Sequence, residues 1–292
     1  MIGIKQGDSP LVTVLLPVRN GRETLVVALQ SIVSQTLASM EVLVLDDGST
    51  DGSGEIVARF DDPRLRLVSD GRHKGLATRL NEGIDLARGK YIARMDADDV
   101  AFPERLQRQY EYLESHPQVD LLGTRAIVFR SQDEVIGLLS FKASHEQICA
   151  SPWRGVPLPH PTWMGKSAWF RTHRYRMPEV LRAEDQELLI RAAPSSCYAC
   201  LDDVLLGYRQ HGFSLPKVLL ARRHLLRAQL GLFMTRGEWV NAGLALSMGI
   251  LKMVVDLLCS LPGGKRLFFA RMANAYEPAH LQELQRILQI GK

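Results

Sequence analysis

The sequence predicts an α/β protein built on a parallel, doubly wound sheet. Three observations carry that expectation. Near-continuous apolar runs at residues 11–17, 41–45 and 90–95 have the composition of strands buried on both faces. Stretches with apolar residues at helical spacing separate them, so strand and helix alternate four times within the first hundred residues. Two of the runs end abruptly in acid, at Asp46-Asp47 and at Asp96-Ala97-Asp98-Asp99. Right-handed crossovers in a parallel sheet put strand C-termini on one rim, so both acidic ends should face a single crevice.

Taken in order, Leu11-Val12-Thr13-Val14-Leu15-Leu16-Pro17 opens the sheet and Asn20-Gly21 turns the chain. Residues 23–35 carry Leu25, Ala28, Leu29, Ile32 and Val33 on one helical stripe. A second strand runs from Glu41 into Asp46-Asp47. Gly48-Ser49-Thr50-Asp51 then supplies a turn and the N-cap of a helix that continues toward Phe60. Leu65-Arg66-Leu67-Val68 is a third, short strand. Residues 75–88 form a helix stopped by Gly89, and residues 90–95 deliver the acidic cluster. Three carboxylates within four residues repel one another unless water solvates them or a divalent cation sits between them, and the sequence leaves both readings open.

The 292 residues are enough for one large domain, or for one domain with a smaller appendage. A hydrophobic content of 46% with 23% charged residues is ordinary for a globular core, and a formal charge of +4 with scattered cations does not make the basic stripe that nucleic acid requires. Four cysteines are too few for a disulfide framework and point to a reducing compartment; Cys197-Tyr198-Ala199-Cys200, with no second pair, reads as part of a strand. No basic patch followed by an apolar run opens the chain, so a cytoplasmic location is expected. Asp47-x-Ser49-x-Asp51-Gly52 imitates a calcium loop, but Ala58 stands where the bidentate Glu is needed. No G-x-G-x-x-G follows the first strand, so a dinucleotide site lacks its phosphate turn.

Several segments in this order carry a resemblance: Leu16-Pro17-Val18-Arg19-Asn20-Gly21, Ser34-Gln35-Thr36, residues 44–51, Gly75-Leu76-Ala77 and Ala93-Arg94-Met95-Asp96-Ala97-Asp98-Asp99. Together they resemble the family 2 glycosyltransferases of the GT-A fold. Pro159-His160-Pro161-Thr162, Ala183-Glu184-Asp185-Gln186-Glu187-Leu188 and Gly207-Tyr208-Arg209-Gln210-His211 extend the likeness, which fades past Ser214. The resemblance implies a GT-A catalytic domain over residues 1–215, with a mixed, mainly parallel sheet, and a helical extension over residues 216–292. It implies transfer of a sugar, with inversion, from a nucleoside diphosphate sugar, commonly UDP-linked, to a saccharide or lipid-linked acceptor in polysaccharide or glycoconjugate synthesis.

Such a reaction needs Mn2+ or Mg2+ to neutralise the departing diphosphate, and oxygen ligands suit either ion. By the resemblance Asp98 is the metal ligand, with His211 completing its shell; Asp96 binds the ribose or the metal through water, and Asp99 supports both. Asp47 would contact the base, with Asp46 as its structural neighbour and Pro17 lining the donor site. Arg19 stands where relatives often carry an aromatic residue, and its guanidinium plane can stack on a base. Asp185 is the expected general base, opening a helix with Leu188, Leu189 and Ala192 on its inner side. His160, Glu184 and Arg209 are candidates for acceptor or diphosphate contacts, whereas Trp163 reads as core.

The extension reads as helices, basic near Arg222, Arg223, His224 and Arg227 and strongly apolar over residues 240–261. Lys252 and Asp256 inside the apolar stretch argue against a spanning helix. Lys265-Arg266-Leu267-Phe268-Phe269-Ala270-Arg271 mixes cations with aromatics. These helices are expected to pack on the catalytic domain, to dimerise, or to rest on the inner face of the membrane. A receiver-like phosphoacceptor domain would need only the first half of the chain, and a catalytically silent sugar-nucleotide binder would not need the full set of carboxylates.

Overall fold

Strands β1 (Val12–Val18) and β2 (Met40–Asp46) are buried along their whole length, as their unbroken apolar runs require. The computed structural model describes residues 9–132, 134–177, 182–212, 214–261 and 274–290; the basic-aromatic stretch at 265–271 lies outside them. Helix α1 (Leu25–Val33) buries Leu25, Ala28, Leu29 and Ile32, the stripe read from the sequence. Helix α2 (Ser53–Ala58) differs from expectation at its start. Gly52, with φ +88°, takes the N-cap position, while Asp51 accepts hydrogen bonds from the Ser53 amide and hydroxyl from one residue further out. Strand β3 (Leu65–Val68), helix α3 (Leu76–Leu86) and strand β4 (Tyr91–Arg94) complete the alternation.

These four strands are parallel, in the order β3-β2-β1-β4. The chain leaves β1 toward β2 and β3, then returns to β4 on the other side of β1. The end of β1 is therefore a topological switch point, where neighbouring crossovers diverge and leave a crevice.

Beyond β4 the sheet becomes mixed. Strand β5 (Val100–Ala101) follows the acidic cluster, and α4 (Arg105–Ser115) leads into β6 (Leu121–Ser131) and β7 (Glu134–Leu138). After α5 (His145–Cys149) come β8 (Met164–Lys166), α6 (Ser167–Thr172), α7 (Glu184–Ala192) and β9 (Tyr198–Arg209). Strand β8 lies antiparallel between β4 and β6, β9 runs parallel to β6, and β5 pairs antiparallel with β9. All four cysteines are free, with Cys200 buried in β9.

Two long helices, α8 (Leu215–Thr235) and α9 (Trp239–Cys259), form a hairpin, α8 against α7 and α9 against the 3-10 turn Pro152–Arg154. The last described helix, α10 (Pro278–Ile290), returns to the sheet edge, where Leu284, Ile287 and Leu288 pack with Val100, Phe102, Ile127 and Phe129.

Candidate active site

The crevice at the end of β1 is lined on one side by Pro17, Arg19, Asp47, His73, Lys74, Arg79, Asp96, Arg182 and Glu184, around a cavity of about 510 Å³. An adjoining cavity of about 590 Å³ is lined by Pro17, Arg19, Asp51, Asp96, Asp98 and His211. Pro17, Arg19 and Asp96 border both. Parallel pairing explains the convergence: Val18 stands beside Asp46 and Leu15 beside Arg94, so both acidic ends emerge at the same level.

The acidic turn is held from beneath. Arg94, buried in β4, grips Asp96 with both ends of its guanidinium, at 2.7 Å from Nη1 to Oδ2 and with Nη2 on Oδ1. Burial raises the Asp96 carboxyl above its usual range against the pull of Arg94, and the Asp98 charge adds to the rise. Asp99 is raised further, by burial and then by the charges of Asp96 and Asp98. Its Oδ1 accepts the Arg209 amide at 2.8 Å, whereas its buried Oδ2 has no partner. Oxygens of Asp96, Asp98 and Asp99 lie within 4.8 Å of one another, close enough for a single cation to gather them.

His211 arrives from a distant part of the chain. The two-residue strand β5 pairs Val100 with Gly207, which carries the segment after β9 back over the acidic turn. There His211 Nε2 lies 2.6 Å from Asp98 Oδ2. Exposed imidazole and half-buried carboxylate, side by side, could become joint ligands of one ion.

Asp47 is more tightly engaged than a free base contact would be. Its carboxylate accepts the backbone amides of Lys74 and Gly75, at 2.7 and 3.1 Å, and Arg79 Nε at 3.2 Å; His73 Nδ1 lies 2.6 Å from it. Burial pushes this carboxyl up, but those donors outweigh burial and hold it below the ordinary value. His73 Nε2 faces Arg19 Nη1 at 2.8 Å, so a neutral ring protonated on Nδ1 serves both neighbours. Arg79, itself buried on α3, also binds Asp70 and Glu82. Asp46 accepts Ser49 N and Ser69 Oγ and is a structural neighbour, as expected.

Across the crevice, Ala183 adopts a left-handed φ of +58° and launches α7, whose first two residues are Glu184 and Asp185. Leu188, Leu189 and Ala192 face inward. Gln186 fixes the helix start by exchanging hydrogen bonds with both backbone groups of Val156. Burial raises Asp185, and burial with the Asp185 charge pushes Glu184 up to about 7. The Asp185 charge also bears on Asp96. Glu184 lines the cavity of about 510 Å³, and Asp185 beside it is half-buried.

Two residues expected to contact acceptor or diphosphate are engaged by the protein itself. His160 is 7% exposed and turned inward, its Nε2 2.7 Å from the Tyr175 hydroxyl and its ring against fully buried Trp163; burial drives its pKa well down, so it is a neutral core residue. Arg209 lies under the acidic turn, giving Nε to the Asp98 carbonyl at 2.8 Å and stacking on Phe129. Sequence reasoning missed Arg94, Arg79 and His73. Two of them carried a signal: Arg94 stands two residues before Asp96 on a strand that is otherwise apolar, and Arg79 interrupts the buried stripe of α3.

The profile described as Glycosyl transferase family 2 matches residues 13–172, more than half the chain. This chain is a family 2 glycosyltransferase. The transferase is 35% identical over 190 residues to the Bacillus subtilis protein EpsE, named as a glycosyltransferase, covering 63% of this chain and 67% of that one. In structure it resembles the mannosyltransferase PcManGT of Pyrobaculum calidifontis, solved with GDP-Man and Mn2+, at a TM-score of 0.61, 19% identity and coverage of 98% and 86% of the two chains. It also resembles TarS of S. aureus, residues 1–349, solved with UDP-GlcNAc, at 0.60, 16% identity and coverage of 95% and 90%. At such identities the likeness establishes the fold of the transferase, GT-A, and nothing finer.

Proposed function

We propose that this transferase moves a sugar from a nucleoside diphosphate sugar, UDP-linked by preference, to a hydroxyl of a saccharide or lipid-linked acceptor in polysaccharide synthesis, inverting the anomeric carbon. The observation that carries the reading is Asp96, which borders both cavities of one crevice and is bound from below by Arg94. One cavity, between Arg19, Asp47 and Lys74, suits the nucleoside. The other, beside Asp98 and His211, suits the diphosphate.

The donor set fits a hard divalent cation, because Asp99 Oδ2 is buried and unpartnered beside two further carboxylates. Asp98 and His211 would hold Mn2+ or Mg2+, which supplies neutralisation of the charge that develops on the leaving diphosphate. Arg94 fixes Asp96, and Arg209 fixes the turn, so that these oxygens need not reorganise as that charge grows. Asp185, raised by burial, accepts the acceptor hydroxyl's proton from the face opposite the nucleotide. Attack from that side inverts configuration, by the same geometric logic that separates inverting from retaining hydrolases.

The test is Asp185→Asn. It should bind UDP in the presence of Mn2+ as the wild type does, and lose on the order of 10²-fold or more in turnover, the range of a general base. Unimpaired transfer by this variant, read as UDP release from a panel of donor sugars, would remove Asp185 from the mechanism.

A further inference from the structure

Helix α9 has two unlike faces. Its inner face is tied to the protein by polar contacts: Arg222 Nε reaches buried Asp256 at 3.0 Å, Lys252 Nζ donates to the Arg154 carbonyl at 2.6 Å, and Leu226 of α8 packs on Gly249. Its outer face is apolar from end to end. Trp239, Val240, Leu244, Leu246, Ile250, Leu251, Val254, Leu257 and Leu258 are each at least 40% exposed, with Leu261 just beyond. At 100° per residue these positions cover an arc of about 160°, and the helix is about 32 Å long. The only other exposed residues on that arc are Gly243 and Ser247. No charge interrupts it.

The hairpin is also cationic. Residues 215–261 hold six Lys and Arg against two acids, and neither acid is free: Asp256 is buried against Arg222, and Glu238 is bonded to Asn241 at 2.9 Å. Lys217, Arg223 and Arg227 of α8 are exposed.

From these observations we propose that the α8–α9 hairpin docks on an anionic membrane surface, with α9 lying in the plane of the interface and its outer face among the acyl chains. Length and composition alone would let α9 cross a bilayer. Crossing would pull Lys252 and Asp256 away from Arg154 and Arg222 into hydrocarbon, whereas lying flat keeps both contacts and buries only the apolar arc. Charge selects among occupants. A two-fold dimer sets a patch against its own copy, and would bring two cationic hairpins together. An anionic leaflet attracts the same cations. Trp239, 66% exposed at the start of the helix, suits the headgroup level. The inference stands apart from the proposed chemistry, since docking needs no residue of the crevice.

The test uses the full chain with vesicles of phosphatidylcholine alone, or mixed with phosphatidylglycerol. The wild type should sediment with the mixed vesicles at low salt. Its Trp239 emission should shift to the blue and be quenched by brominated acyl chains, a signal lost in Trp239→Phe. The double change Ile250→Glu with Val254→Glu, at positions half-exposed in solution, should keep the thermal melt and lower vesicle affinity at least tenfold. Lys217→Gln with Arg223→Gln should remove the salt-sensitive part of binding. Failure of the wild type to bind mixed vesicles at low salt overturns the proposal, as does a lipid-free dimer that the glutamate pair dissolves. If the glutamate pair misfolds, Trp239 quenching in the wild type decides alone.

Discussion

At the scale of single residues, the crevice is governed by carboxylates whose protonation is set by what surrounds them. Glu184 is pushed up to about 7 by burial and the neighbouring Asp185 charge. Its contribution to stability is therefore fully present below the unfolded carboxyl pKa and is lost as pH rises toward 7, because only the unfolded state ionises freely in that window. Glu184→Gln should accordingly raise the melting temperature by a few degrees, on the order of 4 °C, at pH 8 and leave it unchanged at pH 4; an equal effect at both values would deny the elevated pKa. Asp47 shows the opposite case, a buried carboxylate held ionised by donors. Removing one of them, by Arg79→Met, leaves Asp70, Glu82 and Asp47 short of a partner, and should cost about 3 kcal/mol in urea unfolding. The acids were legible in the sequence because a carboxylate closing an apolar strand has few uses in a core. Their supports were not, because Arg94 and Arg79 act from buried positions where periodicity leads one to expect an apolar side chain.

Among the secondary-structure elements, two connections make the site. The return from β3 through α3 to β4 opens the switch point, and the short pairing of β5 with β9 brings His211 to Asp98. The first was readable from the alternation of strand and helix. The second was not readable from periodicity, since a two-residue strand has none and its partner lies more than a hundred residues away; only the resemblance set His211 beside Asp98. His211→Ala should weaken Mn2+ binding by about tenfold and leave the melt unchanged, the behaviour of a group at an exposed metal-side position. The loop over Asp47 depends on Gly48, whose φ is +72° and where a Cβ would meet the Arg72 carbonyl carbon at 2.9 Å. Gly48→Ala should cost at least about 1–2 kcal/mol from the left-handed backbone alone, and loosen UDP binding as His73 and Lys74 are displaced; undiminished stability in denaturant titration would show that the loop is not packed as described.

For the whole molecule, one sheet with a changed strand direction past β4 supplies a rim of strand ends, and α7 faces it across the crevice with Glu184. The helical character of the C-terminal part could be read from its composition, but the return of α10 to the sheet edge could not, because its contacts with Val100 and Phe129 are distant in sequence. In the proposed function, what unites these parts is a cation-dependent grip on a nucleoside diphosphate by Asp98 and its neighbours. The most direct measurement is calorimetric titration of UDP into the wild type and into Asp98→Ala, each with Mn2+ and with chelator. The account predicts binding to the wild type only with Mn2+, and none to Asp98→Ala. Equal UDP affinity in chelator, or in the variant, would contradict it.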